Sequence, residues 1–433
     1  MTKRVLLVLL IVAACVGTTF ASGSSESTSS ASSTQPQVIT IWGWDNSDLS
    51  KATYAAFSQS YPQYTIATTV VQRQDMEQKL QTALASGADV PDVAWVEATY
   101  RGSLLALDIW TDISKAPYNY DKNNVLPYLL PLETTAKGVY VGPEVPSVGG
   151  MAYKRPLAKQ YLGTDDPAEL QKMFPTWQAF IDKGKQVLQA SGGKVYMLSS
   201  PWDALIFAEQ QTNTPFVVDG THLNLEKAAA PILKELIDMK QAGIVDTFGP
   251  NSPSENASYA DSTHIFYPCA NWSVTFTIKR NDPNGSGRWG FMIPPGGPFP
   301  MGGTVQGVPL AAKHKMAAVT FLKWRYQSVP GAQWLWDKQG YFSPLKSLYD
   351  NGAKFYDKVD PFFGGQNLGQ IFALDVLAKI KNPRVPSKYD QQINDAFNVA
   401  VQTLNTGAAV TVQGLIKAME DDLIQQHPEL QRG

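Results

Sequence analysis

The segments VITIWGW (residues 38–44), YTIATTVV (64–71) and VPDVAWV (90–96) decide the fold, because each is a short apolar and β-branched run. Such runs are typical of strands. The stretches between them, from Leu49 to Pro62 and from Met76 to Gly87, are each long enough for one helix. The order strand, helix, strand, helix, strand predicts a parallel sheet flanked by helices.

Both intervening stretches carry apolar residues at the spacing of one helix face. In the first helix these positions are Leu49, Thr53, Ala56 and Phe57, and in the second they are Met76, Leu80, Ala83 and Leu84. The oxygens of Asp45, Asn46 and Ser47 can cap the start of the first helix, and Gly87 can end the second.

The N-terminus predicts export. Lys3 and Arg4 precede an apolar run, VLLVLLIV (5–12), which is far shorter than the ~20 residues that span a bilayer. This pattern is typical of a secretory signal peptide, which we assign to residues 1–21 with cleavage after Ala21. An alternative is lipidation at Cys15, within a sequence similar to a lipobox. The Ser-rich residues 22–36 have too few apolar side chains to form a core and are predicted to be a flexible linker.

Composition excludes several classes of function. The formal net charge of −2 offers no basic patch for nucleic acid. We interpret Lys323, Trp324 and Arg325 as a solvated helix face. The four His residues show no metal-ligand spacing, so no metal or cofactor is expected. After removal or lipidation of Cys15, Cys269 is the remaining thiol, and we expect it to be a small buried side chain rather than a nucleophile.

The later part of the chain continues the α/β pattern. Helices are predicted from Pro175 to Leu188, with Thr176 as a cap, over 226–241 and over 315–326, and two more near the C-terminus. A Gly/Pro-rich stretch encloses a single predicted strand, 288–293. Its end, 294–303, is predicted to cross from one half of the molecule to the other.

Several segments, in order and spacing, resemble the sugar-binding family 1 of extracellular solute-binding proteins of ABC importers. They are ITIWGW (39–44), MEQKLQTALASG (76–87) with PDVAWVE (91–97), PTWQAF (175–180), WGFMIPP (289–295) with Gly302 and Gly303, and AAVTFLKW (317–324) with GYFSP (340–344). Each segment alone is a weak signature. Their number over nearly the whole chain after Val38 makes the resemblance specific.

The resemblance implies a type II periplasmic-binding-protein-like fold, in which two α/β lobes are joined by a hinge and the ligand binds in the cleft between them. We expect lobe 1 to comprise residues 37–146 and 304–352, and lobe 2 residues 147–303 and 353–433. It also implies a monomer in the periplasm or outside the cell, possessing no enzymatic activity, that hands a sugar to the transmembrane subunits of an ABC permease.

Ligands of open α/β sheets bind beyond the carboxyl ends of the strands, so residues that follow strands are candidate ligand contacts. Aromatic rings suit the apolar faces of a pyranose, and carboxylates and amides suit its hydroxyl groups. The resemblance adds a stacking Trp in lobe 2 and a ligand-side loop around 363–367. The candidates are Trp44, Asp45, Glu97, Tyr100, Trp202, Asp203, Trp272, Gly303, Tyr341, Gln366 and Asn367.

For most of these residues a structural role is an open alternative. Trp44 can belong to the core, Asp45 and Asp203 can cap helices, and Gly303 can serve a plain turn. Gln366 and Asn367 can equally cap a helix. Trp272 and Glu97 are the candidates that we favour most. A mono- or disaccharide is the expected ligand. Two other functions stay open, namely a secreted glycosidase and a module that presents a sugar to a sensor.

Overall fold

The computed structural model describes residues 35–433. The predicted signal peptide, Cys15 and most of the predicted linker therefore lie outside the described residues. In chain order the strands are β1 (Gln37–Gly43), β2 (Tyr64–Val70), β3 (Val93–Glu97), β4 (Val148–Lys154), β5 (Tyr196–Leu198), β6 (Val217–Val218), β7 (His222–Leu223), β8 (His264–Ala270), β9 (Trp289–Met292), β10 (Phe299–Pro300), β11 (Thr304–Gly307) and β12 (Gln431–Arg432).

The helices of lobe 1 flank its sheet, and those of lobe 2 form the larger set. In chain order they are α1 (Asp48–Ser60), α2 (Met76–Ser86), α3 (Arg101–Ala106), α4 (Arg155–Leu162), α5 (Pro167–Met173), α6 (Trp177–Ala190), α7 (Pro201–Gln211), α8 (Leu225–Ala228), α9 (Ala230–Gln241), α10 (Pro253–Ser258), α11 (Lys279–Asn281), α12 (Lys315–Gln327), α13 (Val329–Trp334), α14 (Asp350–Ala353), α15 (Leu368–Gln370), α16 (Asp390–Asn405) and α17 (Val412–Gln426). Short 3₁₀ and π turns connect several of them, including π segments at Val274–Ile278 and Leu335–Gln339.

The sheet of lobe 1 has the strand order β11-β3-β1-β2. The strands β2 and β3 both pair with β1 in parallel, as the β-α-β-α-β pattern predicts. The fourth strand, β11, comes from much later in the chain and pairs antiparallel with β3, which sets Gln306 opposite Trp95. The sheet therefore brings two distant parts of the chain to one edge.

The main sheet of lobe 2 is mixed. Strand β4 pairs antiparallel with β8, β9 and β10, and β5 pairs parallel with β8. All seven residues of β4 and of β8 are buried, which is expected for central strands covered on both faces. Cys269 lies within β8, wholly buried, and burial raises the pKa of its thiol well above the ordinary value, which agrees with a packing role.

The chain passes between the two sheets at two neighbouring places. The first passage precedes β4, where Glu144 still bridges to Val305 of β11. The second is the short stretch 301–303 between β10 and β11, and Met301 donates a backbone hydrogen bond to Ser147 of the first passage. The two passages thus run side by side.

Local signals explain most helix ends. The side chain of Ser47 caps α1, and that of Thr176 caps α6 by accepting from the Ala179 N–H. Gly87 closes α2 at a φ of 67°, a left-handed conformation that favours glycine. The helix expected over 226–241 is instead divided into α8 and α9. The division lies next to Pro231, which has no N–H to donate within a continuous helix.

Two other expectations need correction. The Gly/Pro-rich stretch holds two strands, β9 and β10, instead of one. The interpretation of Trp324 and Arg325 as a solvated face is wrong, because they are only 6% and 8% exposed. Helix α12 is enclosed on most of its circumference, packing against α1, β1 and α13, so little of it reaches solvent.

Candidate functional site

A cavity of about 500 Å³ lies between the two lobes, beside the two passages of the chain. Its volume falls within the roughly 300–1,000 Å³ of ordinary small-molecule sites. Lobe 1 supplies most of its wall, and Trp272 and Phe276 close it from lobe 2. The lining residues are Trp44, Asp45, Ser47, Leu49, Ser50, Arg73, Trp95, Glu97, Val145, Ser147, Trp272, Phe276, Gly302, Gly303, Thr304, Gln306, Arg325, Tyr326, Gln339 and Tyr341.

Two tryptophans, one directly after β1 and one inside the neighbouring strand β3, form one wall. The rings of Trp44 and Trp95 meet edge to face, with 5.0 Å between their centroids and an interplanar angle of 84°. The ring of Trp95 lies directly on the backbone of Gly43. A Cβ added to Gly43 would be 2.5 Å from the Cδ2 atom of Trp95. Only glycine permits this approach. The indole N–H of Trp95 is buried and has no hydrogen-bond partner in the described chain.

Asp45 is held rigidly at the cavity by the start of α1. Its Oδ1 accepts from the Ser47 N–H at 2.8 Å, and its Oδ2 accepts from the Ser50 hydroxyl at 2.5 Å. Burial opposes ionisation of this carboxyl, but the hydrogen bonds from Ser50 and Ser47 and the charge of Arg325 together hold its pKa below the ordinary value. Asp45 is therefore a fixed, ionised acceptor at neutral pH.

Glu97 ends β3 and also lines the cavity. Its Oε2 accepts from the Thr99 N–H at 2.9 Å, and its Oε1 lies 3.9 Å from the guanidinium of Arg73. Tyr100, three residues later, does not line this cavity, although burial and the charge of Glu97 raise the pKa of its phenol. Tyr100 is the last residue of the short 3₁₀ turn Ala98–Tyr100, which follows Glu97.

Trp272 reaches the cavity from the loop after β8. Its indole N–H donates to the carbonyl oxygen of Met301 at 3.1 Å, which ties this ring to the second passage between the lobes. Gly303 follows with a φ of 119°. An added Cβ on Gly303 would lie 2.5 Å from Glu144 Oε2 and 2.8 Å from Arg101 Nη2, so this glycine covers a buried ion pair.

Tyr341 completes the aromatic lining, next to Phe276 of lobe 2 at 6.3 Å between ring centroids. Trp44, Asp45, Glu97, Trp272, Gly303 and Tyr341 are thus the predicted residues that the structure brings together at one cavity. The lobe 1 members stand at strand ends or in the turn after a π segment, which explains why they converge.

The pair Trp202 and Asp203 lies elsewhere, in the first turn of α7. The Trp202 indole N–H donates to Asn398 of α16 at 3.0 Å, and its ring packs on the lobe 2 core. Asp203 is buried and accepts from the Ser199 hydroxyl at 2.6 Å. Burial and the charge of Glu255 raise the pKa of Asp203 to about 7. Neither side chain lines the interlobe cavity.

Gln366 and Asn367 also have structural roles away from the cavity. The side-chain amide of Gln366 pairs with the backbone of Phe291. It accepts from the Phe291 N–H at 2.8 Å and donates to the Phe291 carbonyl at 2.9 Å. The side chain of Asn367 caps α15 by accepting from the Gln370 N–H at 3.1 Å. Their polar atoms are occupied by the fold.

Sequence reasoning missed the cavity residues that come from other elements, above all Gln306, Arg325 and Gln339. Gln306 is 5% exposed, and its Oε1 is buried without a partner in the described chain. Gln306 lies in the four-residue strand β11, whose sequence TVQG is not an apolar run, so the sequence carried no strand signal there. For Arg325 and Gln339, the sequence carries no signal that marks them as cavity residues.

Residues 35–433 contain neither a metal-binding cluster nor a membrane-spanning helix. Three or more His, Cys, Asp or Glu side chains do not come together there in an arrangement that could hold a metal ion. Likewise, none of the helices in this range has the length and apolar character needed to cross a membrane.

The sequence and the fold are both similar to those of known proteins. The chain is 28% identical over 419 residues to a lactose-binding protein of Rhizobium radiobacter, covering 90% of this chain and 92% of that protein. A crystal structure of an extracellular solute-binding protein of family 1 superposes with a TM-score of 0.79 at 19% identity, covering 90% of this chain and 99% of the other.

A further structural neighbour is the galacto-N-biose/lacto-N-biose I-binding protein of an ABC transporter from Bifidobacterium longum, in complex with lacto-N-biose. Its TM-score is 0.70 at 19% identity, over 92% of this chain and 99% of that one. The predicted fold of two α/β lobes with an interlobe cleft is confirmed, as is the predicted family. Residues 52–363, most of the chain, match the family described as bacterial extracellular solute-binding protein, and the chain belongs to that family.

Proposed function

We propose that this protein binds a carbohydrate in the interlobe cavity and delivers it to the membrane permease of an ABC importer. The observation that carries the proposal is the cavity itself, in which aromatic rings from both lobes stand beside a fixed carboxylate. The relatives described above, which bind lactose or lacto-N-biose by name, support the same class of ligand.

The aromatic rings supply the apolar part of binding. Trp44 and Trp95 offer surfaces from lobe 1, and Trp272 and Tyr341 face the cavity at its junction with lobe 2. Covering about 100 Å² of sugar face on one indole is worth about 2–3 kcal/mol. Two such contacts with a few hydrogen bonds give a free energy near −8 kcal/mol, which corresponds to a micromolar Kd.

Fixed polar groups supply the reading of hydroxyl positions. Asp45 is an ionised acceptor, and Gln306 Oε1 and the Trp95 N–H are an acceptor and a donor without partners in the described chain. We propose a mono- or disaccharide as the ligand, since the cavity of about 500 Å³ suits a small molecule.

We expect the two lobes to close on the ligand because both of them contribute residues to the site. A sugar that contacts Trp44 on lobe 1 and Trp272 on lobe 2 stabilises the closed form by those differential contacts. We propose the lobe limits 37–146 with 304–352 and 147–303 with 353–433, and an exported monomer that acts in the periplasm or outside the cell. Chemistry on the sugar is not part of the proposal, because the family that the chain matches is one of solute-binding proteins.

A thermal-shift screen against neutral and acidic mono- and disaccharides tests the proposal. At least one sugar should raise the Tm of the wild-type protein, and Trp272→Ala should remove that shift. Trp202→Ala is the matched control, because this tryptophan packs in lobe 2 outside the cavity. An absence of any shift across the screen, or an unchanged shift in Trp272→Ala, contradicts the proposal. Release of nitrophenol from aryl glycosides would instead favour a glycosidase.

A further inference from the structure

Arg325 is a buried cation on the wall of the proposed sugar site. It lies on α12 with 8% of its surface exposed. Its Nε donates to the Tyr326 hydroxyl at 3.1 Å, and its Nη2 donates to Gln339 Oε1 at 3.3 Å. Both acceptors are neutral, whereas arginine carries its positive charge at any physiological pH. Nη1 has no hydrogen-bond partner among residues 35–433.

Other buried or largely buried cations of the described chain have carboxylate partners. Arg101 pairs with Glu144, Arg384 pairs with Asp390 and Glu209, and Lys154 lies 3.3 Å from Asp261. Arg325 forms no such pair within residues 35–433. Burying a cation without a directly paired carboxylate is unfavourable, so the guanidinium of Arg325 keeps an attraction for an anion.

Asp45 is the acidic group on the same wall, and it does not serve as the missing partner. Its two oxygens already accept from Ser47 and Ser50. The charge of Arg325 contributes to lowering the pKa of Asp45, yet the two side chains make no ion pair. The cavity wall therefore carries two separate charged groups, the acceptor Asp45 and the unpaired cation Arg325. The second acid, Glu97, lies beside Arg73.

We propose that the ligand is an acidic sugar, a uronic acid or a short oligosaccharide containing one, whose carboxylate binds the guanidinium of Arg325. This inference rests on the proposed sugar-binding function and narrows it. A planar guanidinium suits a carboxylate, and such charge-assisted hydrogen bonds are about twice as strong as neutral ones. In this arrangement the sugar hydroxyls bind Asp45, and the apolar sugar face packs on the neighbouring aromatic rings.

Calorimetric titration of the full-length mature protein with matched pairs of sugars tests this assignment. The pairs are galacturonate against galactose and digalacturonate against lactose, at neutral pH and low salt. The acidic member of at least one pair should bind on the order of 10- to 100-fold more tightly than its neutral counterpart, as expected for a hydrogen bond to a charged group. Arg325→Gln should remove that preference.

Lys323→Gln is the matched control. Lys323 lies on the same helix and carries the same charge, but it donates to the Tyr118 carbonyl at 2.6 Å and does not line the cavity. Its substitution should leave the preference unchanged within about threefold. Arg325→Lys, which keeps the charge without the planar fork, should retain part of the preference, and it replaces Arg325→Gln if the latter fails to fold.

The outcomes separate the two proposals. If the neutral member of each pair binds as tightly as the acidic one, the acidic-sugar assignment is overturned while sugar binding stands. If Lys323→Gln lowers the preference as much as Arg325→Gln, long-range charge explains it and the direct contact is overturned. If no sugar of either kind binds, the proposed function itself fails.

Discussion

Two Trp–Asp pairs in this chain look alike in sequence and differ in the structure. Trp44–Asp45 and Trp202–Asp203 both come soon after a strand and near the start of a helix, and in each pair the Asp accepts a short hydrogen bond from a Ser hydroxyl. The first pair lines the interlobe cavity, whereas the second packs within lobe 2.

The difference lies in where each helix begins. Helix α1 starts at Asp48, three residues beyond Asp45, so Trp44 and Asp45 stay in the loop at the sheet edge. Helix α7 starts at Pro201, capped by Ser200, so Trp202 and Asp203 are already inside its first turn. In that turn Trp202 contacts Asn398 of α16 and packs on the lobe 2 core, and Asp203 is buried beside Ser199. A shift of a few residues in a helix start therefore separates a cavity pair from a core pair.

The largest expected difference between the two pairs is the effect of Asp203 and of Asp45 on how stability depends on pH. Because the pKa of Asp203 is raised to about 7 from 3.8, the folded state binds a proton that the unfolded state has lost between these values. Stability therefore falls as pH rises across this window, by about 1.4 kcal/mol per unit at most. Asp203→Asn should flatten this part of the profile by up to about 4 kcal/mol in total.

Asp45→Asn provides the comparison for that experiment. The pKa of Asp45 is lowered, so its ionised form is already favoured above pH 4, and its stabilising effect is lost only at more acidic pH. Its substitution should leave the pH profile between 5 and 8 parallel to that of the wild type. Chemical denaturation of the three proteins at several pH values measures both effects, and similar profiles for the two variants would remove the distinction.

The second prediction compares alanine substitutions of Trp202 and Trp44. Trp202→Ala should cost about 3 kcal/mol of stability, because it removes core packing, and should leave sugar affinity within about twofold. Trp44→Ala should instead weaken sugar binding by about 2–3 kcal/mol, the value of one stacked face. Denaturation and calorimetry on the same samples separate the effects. Equal losses of affinity in both variants would mean that the pairs are not distinct.

The third prediction concerns Gly43, whose backbone supports the ring of Trp95 beside the cavity pair. The pair at Trp202 has no counterpart of this contact. Gly43→Ala should push Trp95 off the backbone and cost about 2 kcal/mol through overpacking, with a parallel loss of affinity. Gly249→Ala is the control, since nothing lies within 4 Å of its added Cβ. Denaturation midpoints compare the two variants, and equal midpoints would show that the ring has room to move.

The smallest expected effect comes from the serines that hold the two carboxylates. Ser50→Ala and Ser199→Ala each remove a hydroxyl donor and should cost about 1 kcal/mol of stability. Only Ser50→Ala should also lower sugar affinity, by a few-fold, because Asp45 becomes free to rotate. An equal affinity change in Ser199→Ala would point to a contribution of lobe 2 that the cavity does not explain.

The parts of this molecule that could be predicted are those set by local pattern. Apolar alternation and strand-helix order gave the parallel part of the lobe 1 sheet, and residues directly after β1 and β3 gave Trp44, Asp45 and Glu97. Arg325 and Gln306 could not be placed in the same way. Helix α12 is buried on most sides, so it shows no polar face to interpret, and Gln306 meets Trp95 only through a strand from a distant part of the chain.

The edge-to-face contact of Trp44 with Trp95, and the position of Trp272 across from them, give the protein a built-in optical reporter. Indole emission depends on the polarity around the ring, and under the proposed function these three indoles would exchange water for ligand when the cleft fills. Trp110 and Trp289 are sealed in the interior and contribute a constant background. The proposed ligand entry and lobe closure should therefore change the fluorescence of the unlabelled protein.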